Sequence, residues 1–318
     1  MKLYFILVVI LTVVMMILPA SAKLFPQKNK AEIIVTTSSI NESDNNHMNV
    51  LRTDFDKIDL TEYIIGTVAG EMPGGFSEEA LKAQAVVSYT YVKYIMNNPT
   101  YGKKYITDLC YTHQTYIDIA QQKEKWGENY KKYRNRIENA VKSVIGQYLS
   151  YDGKPALAVF HAISSGKTKS SLEAWGQAVP YLIETDAPGD KISENYESII
   201  SLTPEKFQSA FSKYSDVNFN NSDFSRWVSV TEKDSYGYIK KLKVNNREFT
   251  SYEFMSILNL PSPTFEGTIK NGNFIFTVYG KGHGVGMSQY SADYLARQGA
   301  DYKKILEHFY PGTVILQD

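Results

Sequence analysis

The chain has 318 residues, 43% of them hydrophobic and 13% aromatic, enough to bury one large domain or two modest ones. Lys plus Arg and Asp plus Glu balance at 34 each, so no global basic excess points to nucleic acid, and no nucleic-acid partner is expected. The single cysteine, Cys110, excludes an intramolecular disulfide and a cysteine-rich zinc cage.

Leu3 to Ala22 carry no charge, and at about 1.5 Å per residue that length can cross a bilayer core. Ala20-Ser21-Ala22 also fits the small-residue rule for signal cleavage, so residues 1–22 read as a retained transmembrane helix or a signal segment. Lys2 lies at the extreme N-terminus, which puts the bulk of the chain outside the cytoplasm. Residues 23–56 are polar and lack periodicity, as a solvated linker would.

The folded part is expected over 57–318. Asp59 can cap a helix, with Glu62 three residues on completing a capping-box-like start. Leu60, Tyr63, Ile64, Thr67 and Val68 share one stripe, and Glu71 continues it. Pro73 forbids the helix to go on. A glutamate there has two readings: an acid reaching solvent from the last turn, or a partly desolvated carboxyl held protonated as a general acid.

A second helix follows Ser77, with Gln84 and Ser88 on its buried stripe. They either tie helices together or line the same cleft as Glu71. Residues 101–122 read as irregular. Cys110 and His113 there could share a metal, but a site needs three or four ligands and none is expected. A third helix begins near Trp126 and stops at Gly146. A hairpin around Asp152-Gly153 delivers His161 to Thr168, whose Ser165, Gly166 and Thr168 give a surface a ligand can approach closely. Trp175 and Tyr181 follow.

From about 190 to 280, strand and helix signals alternate, as a β-rich second lobe or an elaborated sheet. The last strand runs into Gly280-Lys281-Gly282-His283-Gly284-Val285-Gly286-Met287-Ser288-Gln289, and a helix begins near Ser288. A glycine-rich loop at a helix start exposes N–H donors suited to carbonyl, hydroxyl or carboxylate groups. It does not match the dinucleotide fingerprint. Mixed signals without βαβ repeats give an α+β class, with a helical part packed on an antiparallel β-sheet.

Glu62 to Pro73, Leu81 to Val86, Ser164 to Thr168, Trp175-Gly176, Tyr181-Leu182 and Gly282 to Tyr290 stand in the order seen in the stage II sporulation protein D family, which includes amidase enhancers. The resemblance spans about 60–312. It implies a peptidoglycan lytic transglycosylase that cuts the MurNAc–GlcNAc β-1,4 bond of peptide-denuded strands during forespore engulfment. It also implies that Glu71 holds the catalytic position, that no cofactor is needed, and that partners are a peptidoglycan amidase/endopeptidase and a multipass membrane protein. Gln84, Ser165, Gly166, Thr168, His283, Ser288 and Gln289 are expected to hold sugar substituents, with Trp175 and Tyr181 stacking on sugar faces. The alternative is a non-catalytic wall protein that activates an amidase. A serine relay of Ser288, His283 and Asp293 is disfavoured, because residues five apart on a helix diverge.

Two departures stand out. The family's Arg-Thr-Tyr is Tyr89-Thr90-Tyr91 here, so a cation is missing. Some members bind zinc through Cys and His near the Cys110 region; this chain keeps Cys110 and His113 but lacks a second cysteine, so no zinc is expected.

Overall fold

The structure, a computed structural model, describes residues 32–36, 49–52, 57–97, 105–107, 114–219, 223–234 and 238–318. Residues 1–22, Cys110 and His113 lie outside them. Among the described residues no helix is long and apolar enough to cross a membrane.

Within the stretch read as linker, β1 (Glu32–Thr36) and β2 (Asn49–Arg52) form strands. They join β3 (Lys57–Asp59) and β4 (Tyr105–Thr107) in a four-stranded sheet of order β3-β2-β1-β4. Ile33-Ile34-Val35 is a β-branched run, and that local preference outweighs the polar composition around it.

Four helices come next: α1 (Leu60–Glu71), α2 (Glu78–Asn97), α3 (Ile119–Trp126) and α4 (Tyr130–Val144). The Asp59 carboxylate accepts from the N–H groups of Thr61 and Glu62. Glu62 does not turn back to complete a box; it pairs with Arg134, whose two terminal nitrogens lie 2.9 and 2.6 Å from its two oxygens. The bidentate charged pair outcompetes the backbone contact. α1 is buried on all sides from Tyr63 to Ala69, not along one stripe. α3 begins inside the stretch expected to be irregular and runs past its end; Asp118 and Gln121 form a capping box that starts it.

The hairpin is real but short. β5 (Gln147–Tyr151) turns through Asp152 (φ 49°) and Gly153 (φ 73°) into β6 (Lys154–Pro155). Pro155 has no N–H, and the Leu157 N–H goes to the Tyr181 hydroxyl at 2.6 Å, so the chain leaves the sheet. It re-forms as β7 (Phe160–His161), followed by α5 (Ser171–Trp175).

Residues 197–279 carry β8 (Glu197–Leu202), α6 (Pro204–Ala210), β9 (Val228–Lys233), β10 (Ile239–Val244), β11 (Arg247–Thr250), α7 (Ser251–Leu258), β12 (Phe265–Lys270) and β13 (Asn273–Tyr279). They make two antiparallel sheets, β11-β10-β9 and β12-β13-β8, around an aromatic core of Phe207, Phe211, Trp227, Phe254, Phe274 and Phe276.

β14 (Met287–Ser288) then pairs parallel with β7, α8 (Gln289–Arg297) and α9 (Tyr302–Phe309) follow, and β15 (Val314–Gln317) adds to β5. The first core gathers α1, α2 and α4 with α8, α9 and β5. α2 runs through its centre and touches all of them. The class is α+β; among the described residues β7 and β14 pair parallel, Lys169 and Val285 form a second parallel bridge, and the other named strands pair antiparallel.

Candidate active site

α1 ends where Pro73 requires. Met72 is extended (φ −111°, ψ 151°), and its N–H closes the last turn on the Val68 carbonyl at 2.9 Å. The Glu71 side chain is half-buried, and its Oε1 accepts the Thr115 N–H at 2.5 Å.

Thr115 reaches it because of two glycines. A Cβ on Gly70 would stand 2.3 Å from the Thr115 carbonyl oxygen, and one on Gly66 would stand 2.3 Å from the Tyr116 ring. Their absence lets residues 114–118 lie directly on α1, where the Ile117 N–H also donates to the Gly66 carbonyl at 3.2 Å. α3 continues that segment and brings Lys125 to the same helix end. Its Nζ donates to the carbonyls of Ala69 at 2.8 Å and Gly70 at 3.3 Å.

Burial pushes the Glu71 carboxyl up from its ordinary 4.5 to about 7; the Thr115 hydrogen bonds and then the Lys125 charge pull against that rise. Near neutral pH, Glu71 therefore exists in both protonation states.

One residue before Thr115, the Gln114 side chain donates to the Ser88 carbonyl at 3.0 Å. Ser88 Oγ accepts from Gln84 Nε2 at 3.1 Å, and Gln84 Oε1 accepts from Gln289 Nε2 at 3.2 Å. Gln84 and Gln289 are thus buried and joined, tying α2 to α8 beside the Glu71 segment.

Tyr89 lies on another face of α2. Its hydroxyl donates to Asp318 at 2.5 Å, and Lys93 pairs with the same carboxylate. At this position the tyrosine ties α2 to Asp318, away from the Gln84 face.

The glycine-rich loop packs on β7. Gly286 (φ 72°) has no room for a Cβ, which would fall 2.0 Å from the Val159 carbonyl oxygen. His283 Nδ1 accepts the Val285 N–H at 3.1 Å, and the ring also bonds the Phe160 backbone. His161 Nδ1 donates to the Val285 carbonyl at 3.1 Å. Burial lowers both, His161 to about 4 and His283 to about 3, so both rings are neutral at physiological pH. Trp175 packs its ring 5.7 Å from that of His283. The buried His161 Nε2 and Trp175 Nε1 have no hydrogen-bond partner among the described residues.

Ser288 is fully buried. It caps α8 and donates to Asp190 Oδ1 at 2.6 Å. Asp190 also accepts the Ser164 N–H (2.6 Å) and hydroxyl (2.5 Å) and the Ser291 hydroxyl (2.8 Å). Burial holds its carboxyl above the usual range against these donors. No relay forms: Asp293 accepts the Ser77 N–H at 2.6 Å and pairs with Arg297. Removing the Asp190 carboxylate leaves buried donors unmatched. Asp190→Ala is expected to cost about 3–5 kcal/mol, read as a fall in thermal midpoint of roughly 10 °C.

Thr168 is buried, with its hydroxyl spent on the Ile183 carbonyl and the Thr185 N–H. Tyr181 is buried against Tyr151 with its hydroxyl on the Leu157 N–H, so its ring is a core ring. Ser165 and Gly166 are half-exposed, with Lys191 over Gly166. The structure thus groups Glu71 with Thr115 and Lys125, Gln84 with Gln289, and His283 with Trp175. It places Thr168, Tyr181 and Ser288 inside. Thr115, Lys125 and Asp190 escaped the sequence reading. The Gly66–Gly70 spacing marks a close backbone approach, and Asp118–Gln121 marks the start of α3. Among the described residues no group of three or more His, Cys, Asp or Glu could hold a metal ion.

A family model described as "Stage II sporulation protein" matches residues 51–151, which hold Glu71, Gln84 and Lys125. The chain is 33% identical over 265 residues to stage II sporulation protein D of Bacillus amyloliquefaciens, covering 82% of this chain and 75% of that protein. The Bacillus subtilis protein of the same name matches at 33% over 263 residues, with the same coverage. The amidase enhancer of Bacillus subtilis is 26% identical over 298 residues, covering 79% of this chain and 40% of that protein.

Proposed function

The chain belongs to the stage II sporulation protein D family, and from that premise we propose that it is a peptidoglycan lytic transglycosylase with Glu71 as its acid and base. The observation that carries the reading is the Glu71 carboxyl, half-buried at the end of an apolar helix, hydrogen-bonded by Thr115 and protonated up to about pH 7.

The chemistry can proceed with one carboxyl group. Protonated Glu71 gives its proton to the glycosidic oxygen as the bond from C1 of MurNAc to that oxygen breaks. The sugar's own C6 hydroxyl closes on C1, and its proton passes to the Glu71 carboxylate, which restores the enzyme. The product is a 1,6-anhydro end. Ordinary glycosidases need a second carboxylate to recruit water or attack the sugar. Here the nucleophile belongs to the substrate, so positioning supplies that contribution. A group that must give and then take a proton works best when its pKa lies near the ambient pH.

On this reading the half-exposed Ser165 and Gly166 and the Trp175 ring meet the glycan. Gln84, Gln289, Thr168 and Ser288 act by holding the walls of the site. Residues 1–22 would anchor the protein to the membrane with the folded part on the outer side, and an amidase that strips stem peptides would act before it.

The test is mass spectrometry of products from amidase-treated glycan strands. A 1,6-anhydro end is expected. A hydrated reducing end would make the protein a hydrolase. Binding without products would favour the second reading, a wall-binding activator of an amidase, which the resemblance to an amidase enhancer supports.

A further inference from the structure

The last turn of α1 contains no basic residue of its own, yet its carbonyls are not left to water. Lys125 comes from α3, more than fifty residues on, and caps them with two hydrogen bonds. The arm that delivers it is built for that position. Residues 114–118 lie against the Gly66 and Gly70 backbone, the Asp118–Gln121 box starts α3, and Gln122 Nε2 locks the Ile117 carbonyl at 2.9 Å. One rigid unit therefore carries both the Thr115 N–H and the Lys125 ammonium to Glu71.

We propose that Lys125 is a positioning residue for Glu71: its ammonium seats the helix end that carries the carboxyl and supplies the positive field in which the carboxylate rests after giving up its proton. A cation at a helix C-terminus also opposes the negative end of the helix dipole, which would otherwise disfavour an anion at Glu71. The other charged side chains around α1 are turned elsewhere. Glu62 and Arg134 pair at its far end, Lys82 pairs with Glu78 and Glu79, Asp293 pairs with Arg297, Arg136 donates to the Phe76 carbonyl, and Lys123 lies over the Tyr130 ring. Lys125 thus supplies the one cation whose charge acts on Glu71 among the described residues. The role in catalysis rests on the transglycosylase reading; the role in setting the proton affinity of Glu71 does not.

The test titrates Glu71 directly. Full-length protein carrying 13C-labelled glutamate is followed by NMR, with Glu71→Gln identifying the signal, in the parent and in K125R, K125Q and K125M. K125Q can keep a hydrogen bond to the helix end without charge, so it separates field from fold. The Glu71 midpoint is expected near 7 in the parent, about one unit higher in K125Q and K125M, and back near the parent value in K125R. In the product assay the alkaline limb of the rate profile should move up in pH with it. An unmoved Glu71 titration in folded K125Q would overturn the proposal. A shifted titration in a protein that releases no anhydro product would sustain the role of Lys125 and remove the transglycosylase.

Discussion

Glu71→Gln is expected to abolish release of 1,6-anhydro ends from peptide-free glycan while raising stability at alkaline pH. Losing a positioned acid or base costs about 10²–10⁴-fold. Glu71 serves both halves of the proposed reaction, so the upper end of that range is expected. The amide keeps an acceptor for the Thr115 N–H, so the loss should not reflect unfolding.

The stability effect has a definite sign. The folded-state pKa of about 7 lies above the ordinary 4.5. Both states are protonated below 4.5, where the contribution of Glu71 is most favourable. As pH rises toward 7, the unfolded chain ionises while the fold holds its proton, and stability is lost until about 7. The full loss is about 3 kcal/mol. An amide at this position carries no such penalty. Denaturant unfolding should show the parent and E71Q alike at about pH 4 and E71Q ahead at about pH 8. By the same logic the parent's activity should fall above about pH 7, where the protonated form runs out. Full activity in Glu71→Gln, or stability equal to the parent's under alkaline conditions, would sink the assignment.

Gly70→Ala should damage the site without changing any polar side chain in it. In an isolated helix the change would stabilise by about 1 kcal/mol. Here the new Cβ meets the Thr115 carbonyl oxygen at 2.3 Å and its carbon at 3.1 Å. These are backbone atoms and cannot rotate away, so residues 114–118 must lift. Overpacking of this kind costs about 1–3 kcal/mol, which offsets or exceeds the propensity gain. More important, the lift withdraws the Thr115 N–H from Glu71 and disturbs the seat of Lys125. A loss of at least about tenfold in product release is expected, since small displacements of a catalytic group are expensive. Hydrogen exchange of the Thr115 amide should quicken. Gly75→Ala is the control: its Cβ would find only the Tyr133 ring, at 3.9 Å. Equal effects of the two changes would contradict this account.

Local signals read well where local chemistry decides. Pro73 and Asp152-Gly153 stop or turn the chain where expected. Glu71 was legible because a helical stripe and a proline fix its place. What supports it was not. Thr115 reaches Glu71 across 44 positions of sequence and Lys125 reaches Ala69 across 56, through a close approach that only two absent Cβ atoms betray. Ser288 and Thr168 look like ligand groups in sequence because hydroxyls beside glycines suit both binding and buried networks. Only the tertiary partners, Asp190 for one and Ile183 with Thr185 for the other, decide between the two.

The glycine-rich loop is held by residues 197–279 as well as by β7. Tyr252 donates to the His283 carbonyl at 2.9 Å, the Gly282 N–H reaches the Pro261 carbonyl at 2.8 Å, and Lys169, whose N–H holds Gly284, pairs with Asp234 at 2.8 Å. Glycines would leave such a loop broad freedom in isolation. Fixed at these points, it has already surrendered most of that freedom on folding, so under the proposed function little would remain to be lost on glycan binding. On the transglycosylase reading, residues 197–279 would act on glycan affinity through preorganisation, by holding this loop in place.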